Sequence, residues 1–260
     1  MPDMPKGRPG RTRVRLRFSK LGKVRFTSHR DVARIWERAL RRAQVPVARS
    51  QGFSPRPRLH FGLALSTGYE SLAEYLDVDL AEGAAIHLAG LPERLTASLP
   101  AGFAATAVGE VAAGTSSLQH AVVASRWDIE VLGLGPATLT DRVADLMAAP
   151  ELVTTRSRKG ADVVDDVRPH LLALQLLGST DGGVFLGADL AARDRALRPS
   201  ELVALLGDGA TEGRIRRIHQ FTEQNGVRSE PLTPVGNGPV PPGITAAARP
   251  PAPHAMVRAS

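Results

Sequence analysis

The chain has 260 residues, of which 43% are hydrophobic and 4% aromatic, with no cysteine and a formal net charge of +7. That length suits two small domains or one large one, and the missing cysteine removes disulfides, zinc–thiolate sites and any cysteine-held iron–sulfur cluster from this chain. The charge is lopsided: residues 1–60 hold 17 Lys and Arg against 3 Asp and Glu, and the remainder holds 16 against 23, so a polyanion is the first partner to consider.

Residues 1–11 read as a disordered basic arm with no apolar run behind it, so no signal peptide is expected there. No stretch approaches the roughly 18 consecutive apolar residues of a membrane span, and the expected location is cytoplasmic. RVRLRF (13–18) alternates strictly, with Val14, Leu16 and Phe18 on one face and Arg13, Arg15 and Arg17 on the other, which predicts a half-buried strand. Residues 28–44 predict a helix. Ser28 and Asp31 resemble a capping box, Val32, Ile35, Trp36, Ala39, Leu40 and Ala43 form the apolar stripe, and Pro46 marks the exit. A turn-rich stretch (50–59) leads to a strand carrying Leu59, Phe61, Leu63 and Leu65, and EYLDVDL (74–80) makes another. A second helix over 86–98 and a strand over 102–111 complete the order β-α-β-β-α-β, the ferredoxin-like unit, within residues 12–112.

After a linker (113–119), residues 120–221 repeat that order more loosely, with a hairpin inserted at 155–167 around Lys159-Gly160. The fold class is therefore α+β, two tandem ferredoxin-like units, the first of them basic. Residues 222–260 read as a disordered tail, since eight of the twenty prolines lie in 231–253 without apolar periodicity.

The arginine face of the first strand would lie on the open side of its sheet, where this fold often meets RNA. It offers phosphate contacts and guanidinium stacking rather than an aromatic platform. The alternative is internal: Asp77 and Asp79 on the neighbouring strand would neutralise arginines across the sheet. Lys23, Arg25 and the helix residues Arg30, Arg34, Arg38 and Arg41 exceed the local carboxylates Asp31 and Glu37. The loop RSQGFSPRPR (49–58) sets Arg49, Arg56 and Arg58 around Gly52 and Phe53, a mix that suits a sugar–phosphate backbone with one stacked base, or else a rigid connection with Phe53 buried. It lacks Walker A spacing. His29 and His60 are candidate bases for metal-free 2′-OH chemistry, or ordinary surface histidines. Asp162, Asp165 and Asp166 read as a solvated acidic hairpin rather than a metal site.

The segment 17–80, with its RFSK-G, F-SH, RALRRA, PV–SQGF-P-P and G–S–EYLDV features, resembles the radical SAM-linked protein family. A later block, TTRSRKGADVVDDVRPHL (154–171), resembles the same family. The sequence departs from the family at Thr27 and Arg30, where apolar residues are expected, and at Arg56, where histidine is common. The family has no settled activity. Its members occur beside or fused to a B12-binding radical SAM protein, and their neighbours include ribonuclease E/G-type and ribosomal proteins. The resemblance therefore implies a partner carrying an iron–sulfur cluster, S-adenosylmethionine and cobalamin. This chain, lacking cysteine, would carry no cofactor itself. The resulting expectation is an RNA-binding accessory subunit that presents tRNA or rRNA to that enzyme. The other readings are a metal-independent endoribonuclease resembling CRISPR RNA-processing proteins, and a protein-only adaptor.

Overall fold

The computed structural model describes residues 12–158, 160–193 and 195–232; the expected basic arm and the tail beyond 232 lie outside the described residues. Strand β1 (Arg13–Lys20) turns Val14, Leu16 and Phe18 into the core, as its alternation requires. Helix α1 (His29–Arg42) starts at Ser28, whose side chain accepts the backbone N–H of Asp31. The same hydroxyl donates to the Asp31 carboxylate and, with Arg34 and Arg30 nearby, holds that carboxyl below its usual range. The helix buries Val32, Trp36, Ala39 and Leu40, and the Trp36 ring lies 4.8 Å from that of Phe18.

Strand β2 spans only Leu59–Phe61, although the alternation predicted a strand through Leu65. The chain leaves the sheet because Leu63 and Ala64 turn their carbonyls to Arg217, and Leu65 packs into a core of the second half. Strand β3 (Glu70–Asp79), helix α2 (Leu91–Ser98) and strand β4 (Phe103–Val111) follow. The helix predicted from residue 86 begins at 91, where Gly90 adopts a left-handed conformation and Pro92 fits the first turn.

The second half comprises α3 (Leu118–Ala121), β5 (Val122–Leu132), α4 (Pro136–Ala148), β6 (Val153–Arg158), β7 (Ala161–Asp166), β8 (Leu171–Ser179), β9 (Gly183–Ala191), α5 (Pro199–Leu205), β10 (Thr211–Gln224) and β11 (Val227–Ser229). The expected inserted hairpin is present as the β6–β7 pair, a separate two-stranded sheet. Arg195 clamps it to the body, reaching Asp165 at 3.0 Å, Thr154 at 3.0 Å and Glu201 at 2.9 Å.

Among the described residues a single 9-stranded sheet runs through both halves in the order β4-β1-β3-β10-β5-β9-β8, with β2 added to β3 and β11 to β10. It is a mixed α/β architecture whose strand pairs are antiparallel except for β3 with β10. Helix α1 shares a core with Val14, Leu16, Phe18, Leu76 and Val78. The β5 residues Ile129 and Val131 share the second core with Leu139, Val143, Leu202 and Val203 of α4 and α5. At the seam Arg216 reaches Glu70 at 2.6 Å, and Arg217 reaches Glu74 at 3.0 Å while lying 4.8 Å from the Trp127 ring.

The expectation of a tail from residue 222 is corrected. Strand β10 continues to Gln224, turns at Asn225-Gly226 with φ of 52° and 77°, and returns as β11. Leu232 then packs against Tyr75, Ala107 and Leu118 on the sheet face away from α1. Positive φ at both turn residues is what a tight hairpin demands, and Asn-Gly supplies it at little steric cost.

Candidate nucleic-acid interface

Helix α1 commits one face to the core, which leaves its arginines on the other. Arg30, Arg34 and Arg38 recur every fourth residue, and Arg41 continues the row. The opposite wall is the loop 48–58. Backbone bonds from Ser50 N to Arg56 O at 2.8 Å and from Arg58 N to Ala48 O at 2.9 Å close its base. The Ser50 hydroxyl also accepts the Arg56 N–H at 3.0 Å. Ala48 N bonds Asp79 O at 2.8 Å, which fixes the loop to the end of β3. Gly52, with φ of 123°, makes the bend at the tip, and Phe53 beside it is fully exposed.

Helix and loop enclose a groove of about 750 Å³. Arg30, Arg34, Arg38, Arg41, Arg49 and Arg56 line it, with Gln44, and Glu37 is the one carboxylate in its wall. Among the described residues, Arg34 alone of these six arginines has a carboxylate within 4.0 Å, Asp31 at 3.3 Å. Such a wall repels itself unless anions sit on it, and fixed guanidiniums in a concave surface suit phosphate oxygens. Gln44 was not singled out in the sequence; its place just past the helix end was the available signal.

The β1 arginines do not join this groove. They alternate with Val14, Leu16 and Phe18, so they occupy the sheet face away from α1, and each has an internal partner. Arg13 bonds Asp79 at 2.7 Å. Arg15, 4% exposed, makes a two-pronged bond to Asp77 at 2.7 and 2.9 Å. Arg17 lies 3.4 Å from Glu230. Of the two expectations for Arg13, Arg15 and Arg17, the internal one describes the first two, which cross-strand carboxylates neutralise, and the strand's own pleat turns all three away from the helix arginines.

Arg58 and His60 belong to the Asp79 cluster, at 4.0 and 3.3 Å from its carboxylate. Burial pushes the Asp79 carboxyl upward, but the hydrogen bonds from His60 and Arg13 outweigh it and hold the pKa at about 2. Lys23 is exposed on the turn Gly22–Phe26, where Arg25 stacks 4.6 Å from the Phe26 ring and lies 3.9 Å from Glu70. His29 is exposed, edge-on to Phe61 at 5.2 Å. Neither His29 nor His60 lines the groove. In the hairpin, Asp165 is engaged by Arg156 and Arg195, and Asp166 accepts the backbone N–H groups of Leu152 and Arg168. Among the described residues no cluster of three or more His, Cys, Asp or Glu side chains is placed to hold a metal, and no helix is long and apolar enough to cross a membrane.

Fold and groove together define an α/β protein with a basic, helix-walled cleft and an independent set of internally neutralised sheet arginines. The chain belongs to the family of uncharacterized proteins conserved in bacteria, DUF2344, whose model matches residues 13–199. The match contains the whole groove and stops short of β10 and β11. No curated protein matches the chain.

Proposed function

We propose that this protein binds RNA through the α1–loop groove and presents it to a B12-binding radical SAM enzyme, as an accessory subunit rather than the catalyst. The observation that carries the first part is the groove wall of six arginines with a single carboxylate. Phe53 at the loop tip adds a stacking surface for an unpaired base. The second part rests on the resemblance of residues 17–80 and 154–171 to radical SAM-linked proteins and on the absence of cysteine, which denies this chain a radical SAM cluster of its own. We also read the two halves as ferredoxin-like units; each runs β-α-β-β-α-β, with strand orders β4-β1-β3-β2 and β10-β5-β9-β8.

The test is binding of the purified protein to a labelled pool of tRNA and rRNA fragments at two salt concentrations. The comparison is a chain carrying Arg34→Glu, Arg38→Glu and Arg56→Glu, whose targets are exposed. Salt-sensitive binding that vanishes in the folded variant supports the proposal, and the retained RNA names the substrate. Absence of binding by the unaltered chain at low salt overturns it; capture of the radical SAM protein through the same arginines after nuclease treatment would make the groove a protein-docking surface instead.

A further inference from the structure

The sheet face away from α1 carries a second set of cationic and polar groups, over which the C-terminal segment is drawn. After the Asn225-Gly226 turn, β11 runs back along β10 and delivers Glu230, Pro231 and Leu232 above β1 and β3. Three attachments hold this strap. Leu232 is buried against Tyr75, Ala107 and Leu118 and sits so close to Gly109 that a Cβ there would lie 2.5 Å from its Cδ1. The Pro231 carbonyl accepts from Arg15 at 2.9 Å. One oxygen of the Glu230 carboxylate receives both the Arg17 Nη2 donor at 3.4 Å and the Nδ1 donor of His219.

Donors outnumber what that carboxylate uses. Tyr75 faces Arg17 directly across the β1–β3 register; it is 1% exposed, and among the described residues its hydroxyl has no partner in hydrogen-bond geometry. Among the same residues Arg17 Nε is also buried and without a partner. A buried donor left unmade costs about 1–3 kcal/mol, and two such donors lie beside an anion that does not use them. A carboxylate has two oxygens in a plane; a phosphate offers three or four on a tetrahedron, enough to serve the hydroxyl, the guanidinium and the imidazole together. The nearby carboxylates do not spoil such a site. Asp77 is neutralised by Arg15, Asp189 by Arg126 at 2.7 Å, and Asp128, whose carboxyl is pushed up by burial, stands across the register from Arg216.

We propose that Arg17, His219 and Tyr75 form a second, phosphate-binding site on the open sheet face, that Glu230 occupies it as a tethered surrogate, and that an entering phosphate group displaces the Glu230–Leu232 strap. The site shares no residue with the groove, so it stands or falls separately from the RNA reading. Its ligand must compete with a carboxylate held nearby by a short turn, whose effective concentration is on the order of millimolar. Free anions at low concentration are thereby excluded, while a phosphate on a chain already bound elsewhere is admitted.

The experiment uses the full-length chain and inorganic phosphate as probe, with calorimetry for affinity and amide hydrogen exchange over residues 227–232 for the strap. Glu230→Gln removes the competing charge and is expected to tighten phosphate binding on the order of tenfold. In the unaltered chain, saturating phosphate is expected to raise exchange across the strap. Tyr75→Phe, which preserves the ring packing, and Arg17→Gln should each weaken binding in the Glu230→Gln background. If Arg17→Gln does not fold, Tyr75→Phe alone decides. Equal phosphate affinity with and without Glu230→Gln, or strap amides equally protected at saturation, overturns the proposal.

Discussion

Removing three of the groove arginines should change the salt dependence of RNA binding by an amount the structure sets in advance. The groove presents six arginines, of which Arg34, Arg38 and Arg41 lie on one helix face. If each neutralises one phosphate of a single strand, the slope of log K against log salt is about −0.7 per contact, hence about −4 for the full set. Between 50 and 200 mM salt the affinity of the unaltered protein should then fall about 300-fold. Arg34→Ala, Arg38→Ala and Arg41→Ala together should reduce the slope by about 2, and the same salt step should then cost about 20-fold. Fluorescence anisotropy of a labelled single-stranded RNA at four salt concentrations reads both slopes. A triple variant that binds more weakly but keeps the original slope would refute the reasoning, because the lost affinity would not then come from phosphate neutralisation at these residues.

Phe53→Ala should leave the melting temperature unchanged, since the ring is fully exposed, and should weaken single-strand binding by about 1–3 kcal/mol if a base stacks there; titration of the same RNA checks it. Asp77→Ala should destabilise the fold by about 3–5 kcal/mol by leaving the Arg15 charge buried without its partner. Combining it with Arg15→Met should recover most of that loss in denaturant unfolding. Ser28→Ala should cost about 1 kcal/mol through the lost bond to Asp31 N–H. The Asp79 pKa of about 2 lies below the usual carboxylate value, so its contribution is fully present above about pH 4 and is lost as pH falls towards 2. That contribution is about 2 kcal/mol, and acid unfolding of Asp79→Asn should lack the corresponding slope.

Local patterns in the sequence carried the elements that depend on neighbours. The alternation of Val14, Leu16 and Phe18 and the Ser28 cap with its apolar stripe defined β1 and α1 to within two residues, and a helix arginine row facing a Gly-Pro loop already contained the groove. What escaped were charges whose partners lie far along the chain. The pleat makes Asp77 and Asp79 natural partners for the β1 arginines, but nothing local shows that Arg15 becomes buried or that Arg17 meets Glu230. Arg216 and Arg217 read as polar strand residues until Glu70 and Glu74 are placed beside them. The strap has a local signal as well: Asn225-Gly226 between two strand-like runs is a strong hairpin signature, which the prolines that follow mask with the composition of a tail.

The short parallel contact of β3 with β10 fixes an order of events during synthesis. Arg216 and Glu70 are 146 residues apart in sequence, so the first core emerges from the ribosome and can collapse long before its neighbouring strand exists. Until β10 arrives, Glu74 lacks Arg217 and Glu70 has Arg25 at 3.9 Å but not Arg216, and that edge of β3 keeps its backbone donors and acceptors in water. Acidic side chains at an unfinished edge discourage pairing with other nascent chains, and the same charges later receive Arg216 and Arg217. A ribosome stalled before residue 211 would therefore hold the first half with its seam still open.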